Sequence, residues 1–517
     1  MNNALAPQQP KEAVALPGGT DGRSAARAFW RIPGGQSLHR SSLRYPYPDA
    51  DIRSSAGGAA QRLWQRRPKS RGDDRLHMKA SVQVVFGAFL FGLSLMALTA
   101  CGGGNGGGGS SATYTVGGTV SGLTGSGLVL RNNGGDDLPA SASGLFTFAT
   151  KVANGAAYAV TVRTQPTNPA QTCVVTNGNG MMGSNNVTNV AVDCTIIVSG
   201  TFIGVDYGIS GDDGSFGITP LDGAGNFTST SVENNAGTVV SGIFDTGTYT
   251  VSAGGAIIMN FNDGVVSVDG SAIVSADMNT GEQAYIDIEV KQAQTNFTSA
   301  NLDGTYEVVT YGNSGDSGTL WTLIADGSGN FIGSEVQNNA GVISPSSAVT
   351  GTYAVAAAGA LTVSPTVGAP LTGGLSADGN TLVLSQLTSG QGPSITVGIK
   401  QGQGAFTIDG VSGTYAIVTQ ENSGDTGSLW AITFDGAGNI NGTGIRNDVG
   451  AISNITVTGT YSVAVDGTLT VSPTGSKPLT GSLSVDGQKL VLTNLNTGDS
   501  PSIWIGVRSA MFAPWDY

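Results

Sequence analysis

The sequence predicts an all-β protein: a small β-sandwich followed by three tandem eight-stranded antiparallel β-barrel-like modules. Three observations predict it. Short alternating or β-branched apolar runs recur along residues 113–509, and no stretch there is long enough for an amphipathic helix. Clusters of Gly, Asn and Asp separate those runs, and the chain carries 80 glycines, so the connections read as tight turns. From residue 199 onward the chain repeats itself, with spacings of 104 and then 109 residues.

Residues 1–77 hold 13 of the 23 Lys and Arg, with scattered Pro and Gly and no sustained apolar period. A basic arm for nucleic acid or membrane is one reading. The reading preferred is a disordered or non-translated upstream extension, because an export signal normally stands at the very N-terminus and one begins at Met78. Residues 78–100 form that signal: Lys79, then an apolar run from Val84 through Met96, then small residues. The run is short and wrongly flanked for a spanning helix. The signal ends in Leu98-Thr99-Ala100-Cys101, which resembles the lipobox of bacterial lipoproteins. The resemblance implies that Cys101 is acylated and becomes the first residue of the exported protein, with a membrane as partner through the lipid. Gly102 in place of Asp implies the outer membrane, with the periplasmic or surface face left open. Residues 101–112 are nearly all glycine and serine after Cys101, a flexible tether.

Cleavage at Cys101 changes the composition. Residues 1–100 contain 14 of the 23 basic residues but six of the 36 acids, which leaves 9 against 30 and a net charge of −21. Such a surface repels phosphate backbones, so nucleic acid is not expected as a partner. Both histidines, His39 and His77, lie upstream of the cut, which removes His-based nucleophile systems and His-ligated metal sites. Carboxylate pairs remain open as a chemistry, with no pair singled out. No cofactor is expected.

Residues 113–196 carry β-like runs at 114–120, 128–130, 146–149, 158–164, 172–176 and 187–195, the strands of a small sandwich. Asn132-Asn133-Gly134-Gly135-Asp136 and residues 177–186 read as connections. Cys173 and Cys194 lie on neighbouring runs, and export to an oxidising compartment favours their pairing, worth about 3 kcal/mol through the closed loop. The segment resembles the immunoglobulin-like or prealbumin-like modules near the tether of bacterial surface lipoproteins, which implies a spacer.

The repeats span 199–294, 302–402 and 411–509, and residues 510–517 form a tail. Gly-Thr-Phe at 200 and Gly-Thr-Tyr at 304 and 413 open the copies. A second Gly-Thr-Tyr recurs at 247, 351 and 459, and Asp-Gly-x-Gly-Asn at 222, 326 and 435. Glycines 237, 341 and 450 close an Asn-rich turn, and Asp-Gly recurs at 269, 378 and 486. Copy one has diverged and lacks the Trp of the other two. About eight short strands per copy suit a closed up-and-down barrel, which leaves no open edge. The copies resemble lipocalin-like or streptavidin-like barrels; the alternative is one propeller in which each copy supplies two blades.

Asp-Gly-x-Gly-Asn superficially resembles a calcium loop but lacks a closing Glu and enough oxygen positions, so it reads as a turn. The first inter-strand loops are the stronger candidates. They place Asp212 and Asp213, Asp316, and Asp425 among small polar residues, followed in two copies by Trp321 and Trp430, a pattern able to take a cation or a sugar. The leading functional expectation is a non-enzymatic, lipid-anchored envelope protein that displays β modules to an unidentified surface partner or glycan. The second is small-ligand or carbohydrate binding inside the barrels, and the third carboxylate-based hydrolysis.

Overall fold

A computed structural model describes residues 111–208, 213–260, 262–279, 284–292, 296–312, 317–402, 404, 406–421 and 426–509. Cys101, the expected signal and the expected tail therefore lie outside the described residues. Among the described residues the only helical turns are the 3₁₀ segments Ser299–Asn301 and Ile408–Val411, and no helix is long and apolar enough to cross a membrane.

The sandwich pairs two four-stranded sheets. One runs Gly144–Thr147, Val116–Ser121, Val187–Ile196, Gln171–Thr176, and the other Asp136–Ala140, Leu128–Asn132, Ala157–Thr164, Asn179–Met181. Leu128, Leu130, Val116, Val192 and Phe148 fill the space between them. Cys173 stands opposite Cys194 in register, and the two form a disulfide. Two edge strands depart from the expectation. Asp136–Ala140, of which Asp136 was read as part of a turn and the rest as no strand, and Asn179–Met181, expected within the connection 177–186, form strands. Pro139 is tolerated because its strand is an edge.

Each repeat closes into an eight-stranded antiparallel barrel, which excludes the propeller. Barrel one runs from Ser199–Gly208 to Tyr285–Lys291, barrel two from Asp303–Gly312 to Ser394–Lys400, and barrel three from Gly413–Glu421 to Ser502–Ser509. In each, the first strand pairs with the last as well as with the second, so no edge is left unpaired. The fourth strand is continuous in barrels one and three, as Thr238–Val251 and Ala451–Val463. In barrel two it is split into Val342–Ile343 and Ser347–Val355, with Pro345, which has no N–H to give a ladder, in the gap.

The barrels are not beads on a string. The first strands of barrel one pack on the last strands of barrel two, those of barrel two on the last strands of barrel three, and those of barrel three on the last strands of barrel one. The contact is the same each time and the ring closes after three, so the chain builds a pseudo-threefold assembly from one polypeptide. Alternation along each strand explains how this works. One face of the first strands turns into the barrel. The other face contributes Val205, Tyr207, Val309, Tyr311, Ala416 and Val418 to a single apolar core shared by all three barrels. Tyr207 and Tyr311 meet edge to face within it, ring centres 5.5 Å apart.

Candidate functional site

The closed end of each barrel is filled in the same way. Tyr249, Tyr353 and Tyr461, from the second Gly-Thr-Tyr, donate hydroxyl hydrogen bonds to the carbonyls of Val198, Leu302 and Ile408, tying the lead-in segment across that end. In barrels two and three, Tyr306 and Tyr415 add bonds to the carbonyls of Gly379 and Gly487. Phe202 stands at this position in barrel one and has no hydroxyl to donate. Above this floor the three lumens diverge.

In barrel two, Trp321 plugs the interior. It is buried among apolar side chains, packs edge to face on Phe331 and donates its Nε1–H to Thr310 at 3.2 Å. In barrel three the matching Trp430 stacks on Trp504, ring centres 6.2 Å apart and planes inclined by 16°. This pair lines a cleft of about 1050 Å³ at the barrel mouth, together with Glu421, Arg446, Asn494 and Lys477. Both indole N–H groups, and the hydroxyl of Thr419 directly across the ladder from Trp504, are buried with no hydrogen-bond partner among the described residues. The charges at the cleft are balanced. Lys477 Nζ bonds Asp499 at 2.9 Å and the Thr497 carbonyl at 2.8 Å. Burial pushes the Glu421 carboxyl up, and the Arg446 charge pulls against it.

Barrel one has no plug, because Gly217 occupies the position of Trp321 and Trp430. Its lumen carries carboxylates instead. Asp206 and Asp287 face each other directly across the ladder, and Glu289 lies one rung further along, opposite Gly204. Ser215 donates to Asp206, and Ser275 Oγ donates to Asp287 at 3.2 Å. Burial pushes Asp206 up to about 6 despite the Ser215 bond, with the charge of Glu233 adding to the shift. Burial likewise pushes Glu289 up to about 7 against a bond from Thr219, with Asp206 adding. Asp287 is held well above the ordinary carboxylate range by burial and by its two acidic neighbours.

The predicted site residues meet different fates. Asp212, Asp316 and Asp425 lie outside the described residues. Asp213 opens the second strand of barrel one, at the mouth of the acidic lumen. Trp430 lines a cleft, whereas Trp321, expected as a ligand platform, is core. The Asp-Gly-x-Gly-Asn segments are turns: in each, the Asp accepts the backbone N–H groups two and four residues on and the Asn side chain, for example Asp435 with Ala437 and Asn439 at 2.6–2.9 Å. Among the described residues no three His, Cys, Asp or Glu side chains converge to hold a metal ion. Sequence reasoning missed Trp504, which belongs to no repeated motif, since Thr396 and Asp287 occupy its place in the other barrels. It also missed Asp206, Asp287 and Glu289, whose proximity depends on the first strand pairing with the last.

No protein-family model matches the chain, and no curated protein matches it. Among solved structures, kievitone hydratase from Nectria haematococca is 11% identical over 62% of this chain and 91% of its own, with a TM-score of 0.17. The H. pylori beta clamp in complex with diflunisal is 6% identical over 59% of this chain and 91% of its own, with a TM-score of 0.08.

Proposed function

We propose that this chain is a lipid-anchored cell-envelope protein whose third barrel binds a small neutral carbohydrate at its mouth. The observation that carries the reading is the Trp430–Trp504 pair beside an open cleft, with two indole N–H groups and the Thr419 hydroxyl lacking partners. A buried donor without an acceptor costs about 1–3 kcal/mol, and a sugar hydroxyl that reaches the indole N–H groups as the side chains over them shift recovers it. The indole faces supply the apolar surface that stacks on a pyranose ring, and the balanced charges favour a neutral ligand over an ionic one. The anchor rests on Leu98-Thr99-Ala100-Cys101 at the end of an apolar export run, and display on a Gly-rich tether places the barrels where envelope glycans are met.

The test is a glycan-array screen of residues 113–517, followed by titration of hits through tryptophan fluorescence. Trp504→Phe keeps an aromatic face but removes one donor, and should weaken binding about tenfold, the equivalent of roughly 1.4 kcal/mol. A folded protein that binds no glycan overturns the ligand reading. For the anchor, Cys101→Ser should move the protein from the membrane to the soluble fraction, and continued membrane fractionation refutes it.

A further inference from the structure

The lumen of barrel one is built for a different ligand from the cleft of barrel three. We propose that it is a second binding site, which takes a small organic cation, a primary ammonium or a guanidinium group, between Asp206, Asp287 and Glu289. Four observations carry this. First, three carboxylates face one lumen, and no Lys or Arg forms an ion pair with them among the described residues. Second, the lumen has room. A Cβ at Gly217 would meet nothing closer than 3.9 Å, and this is the position where barrels two and three insert an indole. Asp206 and Asp287 are themselves only half-buried.

Third, Glu289 is 7% exposed, and its Oε2 has no hydrogen-bond partner. An unpartnered, buried carboxylate oxygen is costly unless a donor arrives. Fourth, the exchange is concerted. The rung Thr310–Thr396 of barrel two and Thr419–Trp504 of barrel three becomes Asp206–Asp287 in barrel one, Gly398 and Gly506 become Glu289, and the Trp becomes Gly217. Carboxyls opposed across a buried ladder cannot ionise together without a penalty, so copy one carries a cost that its sister copies avoid. A ligand with several N–H donors and a positive charge offsets that cost. The remaining charges near the mouth, Glu233 and Asp213, are acidic too and draw a cation inward. The carboxylates do not converge tightly enough for a metal ion; a larger organic cation spans them.

Isothermal titration of the full-length chain with 1,4-diaminobutane, guanidinium chloride and calcium chloride, at neutral pH and low salt, decides the matter. Saturable binding of one organic cation per chain is expected, weaker or absent for calcium. Asp287→Asn and Glu289→Gln should each weaken it about tenfold or more, and Gly217→Trp, which installs the sister barrels' plug, should abolish it. Trp504→Phe should leave it unchanged, which separates this site from the carbohydrate cleft. Absence of saturable binding by both organic probes, calcium binding tighter than either, or full binding by folded Gly217→Trp each overturns the proposal. Should a variant fail to unfold cooperatively on heating, the wild-type titrations alone still decide it.

Discussion

Asn234, Asn338 and Asn447 each turn one buried side chain into a joint between barrels. Asn338 accepts the Gly341 N–H at 2.9 Å and donates to the carbonyls of Asn494 and Asp499 on barrel three at 2.9 and 3.1 Å. Asn234 makes the same contacts to Gln386 and Gln391 of barrel two, and Asn447 reaches Asp277 of barrel one. The backbone accommodates this with a turn whose two central residues both have positive φ, Ala340 at 48° and Gly341 at 85°. That conformation suits Gly and is strained for Ala. Asn338→Ala strands one N–H and two carbonyls, and should cost about 2–4 kcal/mol in urea denaturation. A second prediction concerns pH. Folded Glu289 keeps its proton up to about 7, whereas the unfolded chain releases it near 4.5, so this group's contribution to stability falls as pH rises between those values. Glu289→Gln removes that loss. Its stability relative to wild type should therefore grow from pH 4.5 to pH 8, in a lumen whose other ionisable groups are Asp206, Asp287, Tyr285 and, toward the mouth, Glu233. A constant difference across that range would contradict the assignment.

At the level of elements, turns and strands are held by short-range rules that repeat in each copy. The Asp of Asp-Gly-x-Gly-Asn accepts bonds from the residues that follow it, and these bonds hold its carboxyl below the ordinary range without a metal. Chelation of calcium should accordingly leave the melting temperature unchanged, while Asp435→Ala should lower it; a large drop on adding chelator would restore the cation reading. That each copy holds about eight short strands was legible, because Gly-rich turns punctuate an alternating pattern. The strand Asp136–Ala140 was not legible. Two Asp and a Pro oppose strand propensity, and only edge pairing with Leu128–Asn132 holds them extended.

At the scale of the whole molecule, the ring is an assembly of heterologous contacts that closes after three copies. A single buried lysine breaks its symmetry. Lys489 is 1% exposed and comes from barrel three, and its charge acts on Asp269 of barrel one and Asp378 of barrel two. Burial alone would raise both carboxyls, but Lys489 together with Ser267 and Ser376 holds them low. One repeat cut from the ring exposes the apolar face that the shared core covers. Residues 411–509 expressed alone should therefore self-associate, with a closed trimer as the expected species in light scattering; a stable monomer would show that the shared core is dispensable.

The sequence by itself determined the disulfide pair, the repeat and its strands, and it carries the expectation of an export signal and lipobox ahead of an acidic part without histidine. Each of these is encoded in neighbouring residues or in a fixed spacing. Tertiary structure alone decided that the three copies share one core, that Trp321 is a plug while Trp430 lines a cleft with Trp504, and that three carboxylates meet in barrel one. Those outcomes depend on closure of the first strand against the last, which joins residues about 80 positions apart, and on which face of each strand turns inward. Strand alternation limits a side chain to one of two faces, but only barrel closure and ring packing decide which face meets a lumen and which a neighbour.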